Sequence, residues 1–131
     1  MIVQKRLVKR YEQLKKNEEE LRMLKISVDQ AADEVFWLDL NGNILNVNDT
    51  ACRINGYLRE EFLGKTIFDL NPDLTPDIWT GTVNDLRQKK TQFITTRHKR
   101  KNGEIADVEI MAVVILPGEI NVSVNDGDGR R

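Results

Sequence analysis

Cysteine is nearly missing from this sequence: the 131 residues include one, Cys52, together with a single histidine and three prolines. A lone cysteine forms no internal disulfide, which excludes the cross-linked scaffold of small secreted domains and points to a reducing compartment, the cytoplasm. One Cys and one His also give no zinc-binding spacing, so no metal site is expected. Long apolar runs are missing as well. The longest, Ile110 to Leu116, falls well short of the ~20 residues a membrane helix needs. Lys5, Arg6, Lys9 and Arg10 precede no apolar core, so no secretion signal is expected. Neither sign of charge dominates, the formal net charge being -1, and a global basic excess of the kind that wraps a polyanion is excluded. The length suits one domain with an appendage and leaves no room for two ordinary cores.

What is present falls into two parts. Between Val3 and Val28 there is no Gly or Pro, and good helix formers dominate. Leu7, Leu14, Leu21 and Val28 recur every seven residues, and the paired heptad positions are Val3, Arg10, Asn17 and Leu24. One seam is apolar throughout and the other is broken in its middle, which predicts an amphipathic helix of coiled-coil type over residues 1–28. Leu7, Leu14, Leu21, Leu24 and Val28 are its expected contacts in a homodimer; packing of the helix on its own domain is the competing reading.

After Asp33 the composition changes. Glu34 to Leu40 reads as a strand, Asn41-Gly42 as a hairpin turn of the type in which both central residues need positive φ, and Asn43 to Val47 as the returning strand. Asn48 should cap a short helix ending at Gly56, with Asp49 in its first turn. Leu58 to Leu63 and Thr66 to Leu70 predict one- or two-turn helical pieces, closed by Asn71-Pro72-Asp73. Pro76 opens a longer helix to about Lys90, with Ile78, Trp79, Val83 and Leu86 at helical spacing. Three strands follow, Thr91 to Arg100, Glu104 to Leu116, and one through Ile120, Val122 and Val124, the first two joined at a second Asn-Gly turn, Asn102-Gly103.

This order resembles a PAS sensor domain. The resemblance rests on Val35 to Ile44, Val47-Asn48-Asp49-Thr50-Ala51, Gly56 to Gly64, Asp69 to Asp73, Trp79, and His98 to Gly103 before Val108-Glu109-Ile110. It implies an α+β fold: a five-stranded antiparallel sheet with helices on one face and a cavity between, residues 29–126, followed by a tail over 127–131. It implies a sensory or dimerisation role in a signal-transduction protein such as a two-component sensor histidine kinase, with an output domain or partner protein and a small-molecule ligand as partners. Many members end on an Asp-Ile-Thr type junction; here Asp126 leads into Gly127-Asp128-Gly129. No kinase or cyclase machinery accompanies the domain, so the chain is expected to be non-enzymatic.

Within that frame Cys52, in the first short helix, reads as a small core residue. His98, flanked by Arg97, Lys99 and Arg100, reads as an exposed strand residue, because haem-binding relatives place their His on the long helix, which has none here. Trp37 and Trp79 read as core packing, with flavin or another planar ligand as the alternative and haem as a further cofactor option. A pocket would draw on Ile54, Phe62, Phe68, Trp79, Val83, Phe93, Thr95 and Ala112. Residues 89–103 carry six basic side chains and no acidic one, but Phe93 is their one aromatic, so a solvated face or an acidic neighbour is expected and nucleic acid is not. Glu60-Glu61 sit at a helix start, where they complement the dipole and do no acid-base chemistry.

Overall fold

A computed structural model describes residues 2–29 and 33–126. The Val28 side chain, residues 30–32 at the expected domain boundary and the tail 127–131 lie outside the described residues. The chain divides into two units, residues 1–30 and 31–131.

The first unit is one helix, α1 (Ile2–Asp29), uninterrupted as its composition predicts. Its apolar stripe is open to solvent in the single chain: Leu7, Leu14, Leu21 and Leu24 are 58 to 65% exposed. Asn17, at the break in the seam, accepts a hydrogen bond from Gln13 Nε2 at 2.9 Å.

The second unit is a five-stranded antiparallel sheet carrying four helices. Strands β1 (Glu34–Asp39) and β2 (Ile44–Val47) come first, then α2 (Asp49–Asn55), α3 (Arg59–Phe62), α4 (Ile67–Leu70) and α5 (Pro76–Lys89). Strands β3 (Thr91–Lys99), β4 (Ile105–Leu116) and β5 (Glu119–Asp126) complete the sheet in the order β2-β1-β5-β4-β3. The last strand therefore lies at the centre, paired with both β1 and β4.

Side chains that alternate along paired strands converge on one face. Phe36 and Leu38 from β1, Val108, Ile110 and Ala112 from β4, and Ile120, Val122 and Val124 from β5 are buried beneath Ala51, Phe62, Ile67, Leu70, Trp79, Val83 and Leu86 of the helices. Phe36 meets the edge of Phe62, whose own ring meets Tyr57, with centroids 5.5 and 5.0 Å apart.

Neither Asn-Gly pair makes the two-residue turn expected from sequence. Lys90 is the one described non-glycine residue with positive φ, so Asn41 and Asn102 do not adopt the conformation that turn requires. Instead Gly42 N donates to Asp39 O at 3.1 Å and Asp39 N to Asn43 O at 3.0 Å, closing a three-residue loop with Gly42 left-handed at φ 85°. The Asp39 carboxylate selects this form by accepting from the Asn41 and Asn43 amides, each at 2.9 Å. Arg100, Gly103 and Glu104 repeat the pattern.

Candidate functional site

The β1–β2 loop is fastened to the helices above the sheet. Ile67 N donates to Gly42 O at 2.7 Å and Ile44 N to Lys65 O at 3.1 Å, so the start of α4 lies against the hairpin. Thr75 caps α5 by accepting from Ile78 N at 3.3 Å, and one turn in, the Trp79 indole donates to Leu40 O at 2.8 Å. Trp79 thereby uses its N–H on the hairpin while its ring system forms a wall.

Between these tethered helices and the sheet is an apolar cavity of about 260 Å³. Its floor is Leu38 of β1, Ile94 and Thr96 of β3, Ile110 and Ala112 of β4 and Val122 of β5; its roof is Ile67, Leu74, Ile78, Trp79 and Thr82. Asn71 and Asp73, in the turn between α4 and α5, supply the polar end. Asn71 is buried, donates to Thr96 Oγ1 at 3.2 Å and accepts from Asp73 N at 3.0 Å, which joins the turn to β3. Asp73 receives Arg97 Nε and Nη2, both at 2.7 Å. That two-point pairing with Arg97 holds the Asp73 carboxyl below the usual carboxylate range and raises Arg97 in turn.

Gly42, in the hairpin loop, lies close against Ile67, Phe68 and Trp79. A Cβ there would stand 2.8 Å from Ile67 Cγ2 and 3.3 Å from Phe68 Cε2, in a backbone conformation L residues adopt at a cost. Gly42→Ala is expected to lower unfolding free energy by about 2 to 3 kcal/mol, from the left-handed penalty plus overpacking. A denaturation midpoint within error of the wild type would show that α4 gives way freely.

Of the eight pocket residues expected from sequence, the structure brings Trp79 and Ala112 to the cavity. Phe62 is fully buried in the Phe36 cluster, and Phe68 packs against the core beside Gly42. Val83 lines a separate groove of about 520 Å³ with Leu40, Leu86, Val114 and Ile120. Ile54 is half-buried in α2, away from the cavity lining. Phe93 and Thr95 are exposed, Phe93 to 76%, because pairing of Ile94 with Ile110 and Thr96 with Val108 fixes the opposite residues of β3 inward. Phe93 and Ile94 are adjacent apolar residues, and a strand with both gives no parity from sequence. Asn71 and Asp73 were legible as a turn before the Trp79 helix, not as the polar end of a cavity.

The same parity reverses the reading of His98. It is buried to 2% exposure, its ring edge-on to Phe36 with centroids 6.5 Å apart, and neither ring nitrogen has a hydrogen-bond partner among the described residues. Three of the six basic side chains of this segment have acidic neighbours: Arg97 with Asp73, Arg100 with Glu104 and Lys101 with Glu61. Cys52 is half-buried and packs against the core. Among the described residues no group of three His, Cys, Asp or Glu side chains could hold a metal ion, and no helix is long and apolar enough to cross a membrane.

The family model described as the PAS fold matches residues 22–123. The PAS domain of an HTR-like protein from Haloarcula marismortui superposes with a TM-score of 0.76 at 21% identity, covering 83% of this chain and 98% of that one. A PAS domain from a two-component sensor histidine kinase gives 0.72 at 26% identity, covering 84% and 98%. A domain of a sensory box sensor histidine kinase/response regulator from Geobacter sulfurreducens gives 0.73 at 22%, covering 82% and 94%. Among curated proteins none matches.

Proposed function

Because the chain belongs to the PAS family, we propose that it is the sensory and dimerisation module of a signal-transduction protein of the sensor histidine kinase type, with no catalytic step of its own. The observation that carries this reading is the cavity of about 260 Å³, whose lining comes from β1, β3, β4, β5, α4 and α5 at once. A molecule held there touches the sheet and the helices together. It shifts their packing by the difference in its affinity for two arrangements, which is all that a sensor requires of its ligand. A cavity of this size also speaks against a module whose core is filled and whose only role is to bind other proteins.

A bound haem or flavin is the reading this lining fits poorly. Leu, Ile, Val, Ala, Trp, Thr, Asn and Asp are the residue types around the cavity, and none is a usual axial ligand of haem iron. Nor does any cation line it to hold a flavin phosphate. Purified protein is expected to be colourless; a flavin or haem absorption band that persists through gel filtration would overturn the cofactor-free reading.

Dimerisation is assigned to α1, where Leu7, Leu14, Leu21 and Leu24 present an apolar stripe to solvent. The proposal places the domain in the cytoplasm, where the single Cys52 stays reduced. Leu14→Asp or Leu21→Asp puts a charge in the seam and is expected to convert a sedimenting dimer into the 15.1 kDa chain. If either variant sediments with the mass of the wild type, the helix is not the dimer contact.

A further inference from the structure

The cavity's chemistry is narrow enough to name what it takes. We infer that its ligand is an uncharged, largely apolar molecule of about ten non-hydrogen atoms with one hydrogen-bond-accepting oxygen, read by the Thr96 hydroxyl and the Asn71 amide, the size following from comparison with an apolar cavity of about 150 Å³ that holds benzene. This rests on the sensory reading above and deepens it.

Charge is disfavoured by the apolar interior. Asp73 is the ionisable side chain among the described lining residues, and it stands at the solvent-exposed end, paired with Arg97 at 2.7 Å with both side chains about half exposed. Deeper in, a cationic or anionic ligand would lose its water and find no counter-charge. Neutral ligands meet no such penalty.

The single oxygen follows from a count of hydrogen-bonding capacity. The Trp79 N–H is engaged by Leu40 O at 2.8 Å, and the Thr82 hydroxyl donates to Ile78 O at 3.1 Å. Asn71 Oδ1 accepts from Asp73 N, and one Asn71 amide hydrogen goes to Thr96 Oγ1. What is left over at this end includes two donor hydrogens, the second of the Asn71 amide and that of the Thr96 hydroxyl, beside one remaining lone pair each on Asn71 Oδ1 and Thr96 Oγ1. The bond between Asn71 and Thr96 holds the two donor atoms 3.2 Å apart, within reach of one acceptor. A carbonyl, ether or hydroxyl oxygen satisfies them, whereas sugars, nucleotides and amino acids bring more polar groups than this wall can pair.

Four probes of closely similar size test the inference by calorimetry on the purified full chain: benzylacetone, butylbenzene, phenylbutyrate and phenylbutylamine. Benzylacetone is expected to bind about tenfold more tightly than butylbenzene, the worth of one buried hydrogen bond, and the two ions still more weakly. Thr96→Val, which removes one of the two donors, should reduce the preference for the ketone while leaving butylbenzene unchanged. Ile78→Trp, at the half-exposed end of the lining, should weaken both without threatening the fold. Phenylbutyrate or phenylbutylamine binding as tightly as the ketone would overturn the ligand class while the sensory cavity stands. If no probe binds, and none raises the unfolding temperature, the sensory reading of the cavity falls as well.

Discussion

Replacing Asn48 with Ala is expected to lower the unfolding free energy by about 3 to 5 kcal/mol, the sum of a lost helix cap and of buried backbone groups left unpaired. Asn48 is fully buried where the sheet hands over to the helices. Its Oδ1 accepts from Ala51 N, capping α2, and from Val35 N in β1, both at 3.0 Å. Its Nδ2 donates to Asp33 O at 3.0 Å, and its own backbone N–H goes to Val35 O. One side chain thus fixes where β1 begins and where α2 begins, and alanine would strand the Val35 and Ala51 amides in a dry interior. Asn48→Ser keeps an acceptor for Ala51 but cannot reach Asp33, so it should recover about 1 kcal/mol of the loss. Urea unfolding followed at constant m-value reads both numbers directly. Since small domains are stable by only about 5 to 15 kcal/mol, Asn48→Ala should be partly unfolded at modest temperature; a midpoint shift equal to that of an exposed cap would mean that water replaces the lost amide.

Asn48 also shows which level of the fold was legible. A short polar residue between an apolar strand and a Gly-terminated stretch announces a helix start from local chemistry alone, and Pro76 does the same for α5. The element order followed from such signals and from two-sided apolar patterning in β4. The second task of Asn48, holding β1, was not legible, because it depends on which strand lies beside the cap. The pair formed by Glu34 and Asn55, whose Nδ2 donates to Oε1 at 2.6 Å in a buried setting, escaped for the same reason: the partners are far apart in sequence. Sheet parity decided the site. Along Phe93-Ile94-Thr95-Thr96 the side chains alternate without a polarity difference, so only pairing with β4 shows that Ile94 and Thr96 face the cavity. Turn geometry was decided by Asp39, whose carboxylate favours the three-residue loop over the tighter turn that Asn41-Gly42 alone would favour.

His98 carries the second large effect, and it appears on acidification. Burial against Phe36 pushes its pKa down from the ordinary 6.5 to about 4, since the charged imidazolium would lose its water and gain no partner. The unfolded chain therefore binds a proton that the folded chain refuses. Stability from this group is complete above pH 6.5 and is lost as pH falls towards 4, by about 3 kcal/mol at the lower end. The depressed carboxylates act in a lower window. Glu61, held down by the Leu58 amide and then by Lys101, and Asp73, held down by Arg97, lose their contribution only as pH falls through the carboxylate range. The limb of a denaturation series between pH 7.5 and 5.5, above the carboxylate range, therefore reports the histidine. His98→Leu should flatten that limb. At neutral pH it should leave the domain as stable or about 1 kcal/mol more so, because the unpaired ring N–H is removed from an apolar site. If His98→Leu keeps the wild-type slope between pH 6.5 and 5.5, the buried imidazole finds a partner in solution and another group governs the acid response.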